Sequence, residues 1–219
     1  MNKKQLSKEI SKCLQLADFE PNVLKAGAIS LVRETDNEKD EIIISYNKYP
    51  GVFNLSPVIT GRKTIKAVDY ILKKYFSKSK IGYQEHTIHA NSRRCDELNQ
   101  FDITGEEDVK EISEKLAQMT KEDIMPFLTK YNSPEKINVK LDHLKVADLA
   151  KFITNPPHPR IMVIKRLANS QDWRSYCEES IKIYREQAQG KYKKVFAPIY
   201  DFLPELYKEL RNLEMNQSA

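Results

Sequence analysis

Glycine is scarce in this chain, at 6 of 219 residues. Few positions can therefore take a left-handed backbone cheaply, which disfavours a large sandwich or barrel built on many tight turns. Cysteine is scarcer still. Cys13, Cys95 and Cys177 are odd in number and widely spaced, against both a disulfide scaffold and a zinc site, so a reducing cytoplasm is the expected compartment. No run approaches the roughly 20 apolar residues of a membrane-spanning helix. The opening MNKKQLSKEISKCLQLADFE has a basic start but no continuous apolar stretch. It is helix-periodic, so a soluble chain without a targeting signal or membrane association is expected. The sequence contains no G-x-x-x-x-G-K, no G-x-G-x-x-G and no G-x-S-x-G, and no cofactor is expected.

What remains is a charged chain with enough apolar residues for a core. The hydrophobic fraction is 40% and the charged fraction 31%, with a formal charge of +5. A charge that small on a chain this long speaks to solubility more than to nucleic acid.

The strongest β signal lies in residues 40–62. Ile42, Ile43 and Ile44 stand together, and a continuous β-branched run predicts a central strand covered on both faces. After Pro50-Gly51, residues Phe53, Leu55, Pro57 and Ile59 alternate with polar neighbours. Pro57 cannot donate to a ladder, which predicts an edge or bulged strand. Residues 23–34 read as a preceding strand with a phase shift near Gly27 that suggests a bulge. An amphipathic helix with Leu6, Ile10, Cys13, Leu14 and Ala17 on its stripe comes before it, closed by residues 18–22. A helix over 64–79 follows the meander, then a strand over 81–90 and a short one over 101–103.

The second half is helical. Thr104 with Glu107 forms a capping-box pattern. Pro126 marks a kink unless its helix begins later. Ser133-Pro134 is a helix start. The run Asn155-Pro156-Pro157-His158-Pro159 reads as non-helical before Pro159, and as the best linker. Ser170 caps a helix carrying Trp173, Cys177 and Tyr184, which Gly190 stops. Strands first and helices after argue an α+β fold: an antiparallel meander of four to five strands packed by helices, then a helical C-terminal half. The expected division is 1–154 and 155–219, the latter packed on the former as an extension, with a single domain as the alternative.

His86 and His89 form an H-x-x-H spacing beside Glu85. On a strand, an odd spacing sends two side chains to opposite faces, so no metal site is expected. No Ser, Cys or carboxylate partner can be placed beside any of the four histidines. Residues 62–94 hold nine basic side chains against two acidic ones, a net +7; residues 102–123 hold three against eight, a net −5. The plain reading of each is a solvated face. The sharper one makes 62–94 a surface for an acidic partner or a nucleic acid. The candidate binding residues are Arg62, Lys63, Lys66, His86, His89, Arg93 and Arg94. Nucleic-acid binding calls for interleaved aromatics, and Tyr70, Tyr75 and Tyr83 are nearby.

The order helix, three-strand meander, helix, strand, then a helix ending in PFLTKY (126–131) resembles a group of uncharacterised bacterial α+β domains. Some of these are found among immunity proteins of polymorphic toxin systems. The resemblance covers the first two thirds of the chain and rests on element order. It implies a small cytoplasmic binding protein without catalysis, and carries over no site residues. The leading expectation is thus a non-catalytic protein that binds another protein, in its specific form a toxin-neutralising immunity protein. The alternative is a nucleic-acid-associated or regulatory protein using the basic surface at 62–94. A third is an enzyme with a pocket near His86, His89, Arg93 and Arg94.

Overall fold

A computed structural model describes residues 2–14, 16, 18–23, 27–79, 81–92 and 101–215. In chain order the elements are α1 (Lys3–Leu14), β1 (Glu20–Val23), β2 (Ala28–Glu34), β3 (Glu38–Tyr49), β4 (Val52–Ile65), α2 (Lys66–Phe76), β5 (Ile88–Asn91), β6 (Phe101–Ile103), α3 (Glu106–Met119), a wide turn (Thr120–Ile124), α4 (Met125–Lys130), α5 (Pro134–Leu141), α6 (Val146–Phe152), α7 (Pro157–Leu167), α8 (Trp173–Gln189), α9 (Lys193–Tyr200) and α10 (Leu203–Met215). The architecture is α+β, with a sheet formed early and a helical C-terminal half. Two compact units share the chain. Unit 1 is Met1–Thr64 with Ile88–Asn132; unit 2 is Ile65–Thr87 with Ser133–Ala219. The 154/155 boundary of the sequence reading falls inside unit 2. No helix among the described residues is long and apolar enough to cross a membrane.

Unit 1 is built on the sheet, ordered β1-β2-β3-β4-β5 with β6 also on β4. Ile42, Ile43 and Ile44 are all buried in β3, as their β-branched run predicts. Glu20–Val23 and Ala28–Glu34 form two strands where one bulged strand over 23–34 was expected. Pro21 and Asn22, read as a helix stop, lie in β1, which pairs antiparallel with β2 from Glu20↔Val32 to Val23↔Ile29. Residues 24 and 26, on which the expected phase shift rests, lie outside the described residues. Gly27 sits at φ +45°, and its carbonyl accepts the Tyr46 N–H at 2.7 Å. A Cβ there would come within 2.8 Å of the Tyr46 carbonyl, so both conformation and space ask for glycine.

β4 is interior, not an edge. Its 53–55 stretch pairs with β6 and its 60–63 stretch with β5. Pro57 falls between the two stretches, where a missing N–H interrupts neither pairing. Phe53, Leu55 and Ile59 are buried on one face, as their alternation predicts. The fourth strand is shorter than expected, Ile88–Asn91 only. Residues 81–87 belong to unit 2, where the Gln84 carbonyl accepts from Arg160 and the Thr87 carbonyl accepts the Thr154 N–H. α3 is capped by Asp108, not Glu107. Its carboxylate accepts from the Thr104 hydroxyl at 2.7 Å and from the Thr104 and Gly105 N–H groups at 2.8 and 3.1 Å, and these donors hold its pKa below the usual 3.8. Pro126 stands in the first turn of α4, directly after the wide turn, and the widened register is where the helical run accommodates its ring and missing N–H.

Unit 2 is organised around α7. Ile161, Met162, Val163 and Ile164 are buried in succession, the pattern of a helix covered all round. α2, α5, α8 and α10 pack against it. α7 begins at Pro157, two residues before the sequence expectation, because Pro157 and Pro159 occupy first-turn positions whose N–H groups would have no intrahelical partner. The proline run therefore opens the central helix of a unit, where a linker was expected. α7 ends in a left-handed Asn169 at φ 51°. The Ser170 N–H bonds to the Lys165 carbonyl and the Asn169 N–H to that of Arg166, a Schellman ending with asparagine in place of glycine. Trp173 is core, 6% exposed, under the Arg166 guanidinium and edge-on to Tyr207.

Candidate functional site

The predicted binding residues disperse once the strands are formed. Arg62 and His89 do come together, as direct cross-strand partners on β4 and β5. Arg62 lies 3.6 Å from the Glu41 carboxylate, which also accepts from the Ser30 hydroxyl at 2.6 Å. Ser30, Glu41, Arg62 and His89 thus form a polar row across four strands on one face of the sheet. Lys63 is one residue on and faces the other way. It is fully buried, with its ammonium 2.6 Å from Glu38 and 2.7 Å from Asp40. Asp40 is itself 1% exposed and also bonded to Arg33 at 2.6 Å. Lys63 is therefore an interior ion-pair residue, not the surface cation expected.

Lys66 and His86 belong to unit 2, Lys66 at the head of α2 and His86 in the segment before β5. The two histidines of the H-x-x-H spacing thus sit in different units. Arg93, Arg94 and Cys95 lie outside the described residues. Among the described residues, no three His, Cys, Asp or Glu side chains converge on a common point.

A groove of 760 Å³ opens in unit 1 between the end of α1 and the α3–α4 stretch. Its apolar lining comes from Cys13, Leu14, Ala117 and Met125, all buried or half-buried. Cys13, expected in the core, is half-buried at this groove. Exposed Lys110, Glu114, Lys121 and Glu122 stand around the lining. The wide turn supplies Thr120, which is 1% exposed and whose hydroxyl has no hydrogen-bond partner among the described residues. Wide turns of this kind recur at functional sites. Sequence reasoning had no signal for the groove, because α1 and α3 are some ninety residues apart in the chain.

Unit 2 holds two polar clusters that sequence reasoning also missed. Nδ1 of His158, in the first turn of α7, lies 3.0 Å from the Tyr176 hydroxyl and 3.3 Å from that of Ser180, both on α8. The imidazole stacks on Tyr176 and meets Tyr184 edge-on. Burial lowers its pKa below the usual 6.5, so it is neutral at pH 7 and Nδ1 is the natural acceptor. Ser180 is only 2% exposed; the arrangement ties α7 to α8 and presents no nucleophile to solvent. Cys177, beside it on α8, is pushed up to about 12 by burial and is inert for the same reason.

The second cluster surrounds Arg160. Its guanidinium donates to the carbonyls of Asn155, Pro156 and Gln84 and lies 5.6 Å from the ring centres of Phe76 and Tyr83. Desolvation lowers its pKa to about 10, so it stays charged at neutral pH. Tyr83 donates to Asp69. Arg160 thereby anchors residues 81–87 to α2 and α7.

No family model, no curated protein and no solved structure matches this chain. The geometry within each unit therefore carries the functional reading. His158 and Arg160 of unit 2 are committed to structure, and so are Lys63 and Asp40 of the sheet. The groove is different: it combines apolar lining, exposed charge of both signs and a buried hydroxyl without a partner among the described residues.

Proposed function

We propose that the protein is a non-catalytic binding protein whose unit 1 groove takes a segment of a partner protein. Its role is of the toxin-neutralising kind that the element order resembles. The groove is the observation that carries this reading. A volume of 760 Å³ suits a few anchor side chains, and anchors in a small pocket carry most of the affinity at protein interfaces. Cys13, Ala117 and Met125 are small or unbranched and adapt to an incoming side chain. The charged lining is balanced, Lys110 and Lys121 against Glu114 and Glu122, which favours a segment with apolar anchors flanked by charge of both signs.

The test is co-expression with the product of the gene immediately upstream. The expected outcome is that this chain suppresses that product's toxicity, and that Ala117→Arg or Met125→Arg abolishes suppression while circular dichroism stays unchanged. A harmless upstream product, or full suppression by both groove variants, overturns the reading.

A further inference from the structure

The bend between α8 and α9 in unit 2 carries a patch that the fold does not use. Lys191, Tyr192, Lys193, Lys194 and Val195 are five exposed residues in succession. Tyr192 is 55% exposed and Val195 59%. The bend is nonetheless held in shape. The Lys193 N–H bonds to the Gly190 carbonyl at 3.2 Å, and the Val195 and Phe196 N–H groups to that of Tyr192 at 2.9 and 3.2 Å. Phe196 braces it from beneath, edge-on both to Tyr184 of α8 and to Tyr192.

The charge is unanswered. Residues 189–200 contain three lysines and no acid, and among the described residues no carboxylate pairs with Lys191, Lys193 or Lys194. Lys191 instead lies 5.9 Å from the centre of the Tyr192 ring. Tyr192 and Val195 are three residues apart, one turn along the entry to α9, so their apolar groups stand on one side with ammonium groups around them. Exposed apolar side chains ringed by lysines suit the boundary of an anionic bilayer. There a tyrosine ring lies at headgroup level with its hydroxyl wet, and lysine stems run along the apolar groups while their heads meet lipid phosphates and carboxylates.

We infer that the α8–α9 bend is a reversible docking point for an anionic phospholipid surface, with Lys191, Lys193 and Lys194 on the headgroups and Tyr192 and Val195 at the interface. A nucleic acid would use the lysines and the ring but has no use for the Val195 side chain. This is contact with a membrane surface, distinct from the spanning helix that the described residues lack. Three charges and two small insertions give weak, salt-sensitive binding, short of stable anchoring. The patch is separate from the groove of unit 1, so neither reading depends on the other's outcome.

The experiment is co-sedimentation of the full chain at low salt with vesicles of phosphatidylcholine alone and of phosphatidylcholine with phosphatidylserine. The chain should bind the anionic vesicles only, and less as salt rises. Lys193→Gln with Lys194→Gln lowers the partition coefficient by about 25-fold, about five-fold for each lysine. Tyr192→Ser with Val195→Ser lowers it roughly three- to ten-fold and leaves its salt dependence unchanged. All four positions are exposed, and unchanged thermal unfolding confirms that the fold is intact. The inference is overturned by no binding to the anionic vesicles, by equal binding to both kinds, by unaltered binding of the double lysine variant, or by displacement with oligothymidylate at equal phosphate, which assigns the patch to nucleic acid.

Discussion

Lys63 shows how far a single residue's setting departs from its type. In the sequence it is one of nine basic residues in a row of positive charge; in the fold it is fully buried between Glu38 and Asp40. Removing one partner of such a pair leaves the other charged and desolvated, at a cost of about 3–5 kcal/mol. Lys63→Met is therefore expected to lower the urea midpoint of unfolding sharply, and a loss below about 0.5 kcal/mol would contradict the burial. His158 makes a second residue-scale prediction. Its folded pKa is lowered by burial, so unfolding takes up a proton at mildly acidic pH. Its contribution to stability is complete above the ordinary value of 6.5 and is lost as pH falls from there through the folded value. Unfolding free energy measured from pH 7.5 to 5 should decline, and His158→Gln, which cannot titrate, should flatten that decline. The histidine was visible in the sequence; its hydroxyl partners were not, because Tyr176 and Ser180 lie 18 and 22 residues away on another helix.

At the scale of elements, periodicity was a good guide where one face is buried and a poor one where a tertiary partner sets the ends. The stripes of α1, α2, α3 and α8 and the alternation of β4 all follow from side-chain period. The hairpin of β1 and β2, the early start of α7 and the brevity of β5 do not, since each depends on what the backbone meets elsewhere. Gly61 is a close approach of this kind. It lies buried in β4, and a Cβ there would stand 2.8 Å from Ile124 Cγ2 and 3.5 Å from the Phe127 ring. Gly61→Ala is expected to destabilise unit 1 by about 1–3 kcal/mol through overpacking. A neutral or stabilising result in thermal unfolding would show that the wide turn yields more readily than its packing suggests. Nothing in the local pattern of β4 distinguishes Gly61 from an ordinary strand glycine.

For the whole molecule, the decisive feature is that both units are discontinuous in sequence. Residues 65–87 leave the sheet-bearing unit and join the later helices. A fragment ending at residue 154, where the proline run suggests a boundary, removes α7, against which α2 packs, and Phe202, which meets Phe76 of its buried face. That fragment is expected to bind a hydrophobic dye and to elute as aggregate on size exclusion. A monomeric fragment with native-like cooperative unfolding would show that α2 has a second way to bury its stripe. The candidate site follows the same logic: the groove needs α1 and α3 together, and these are far apart in the chain.

Composition and periodicity by themselves determined the α+β class, the central β3 and most helix faces, because these rest on interactions between residues a few positions apart. Only the tertiary structure decided that Lys63 is interior, that His158 has hydroxyl partners and that the proline run heads a core helix. Those outcomes depend on which distant segments exclude water from a given side chain, and no local spacing encodes that.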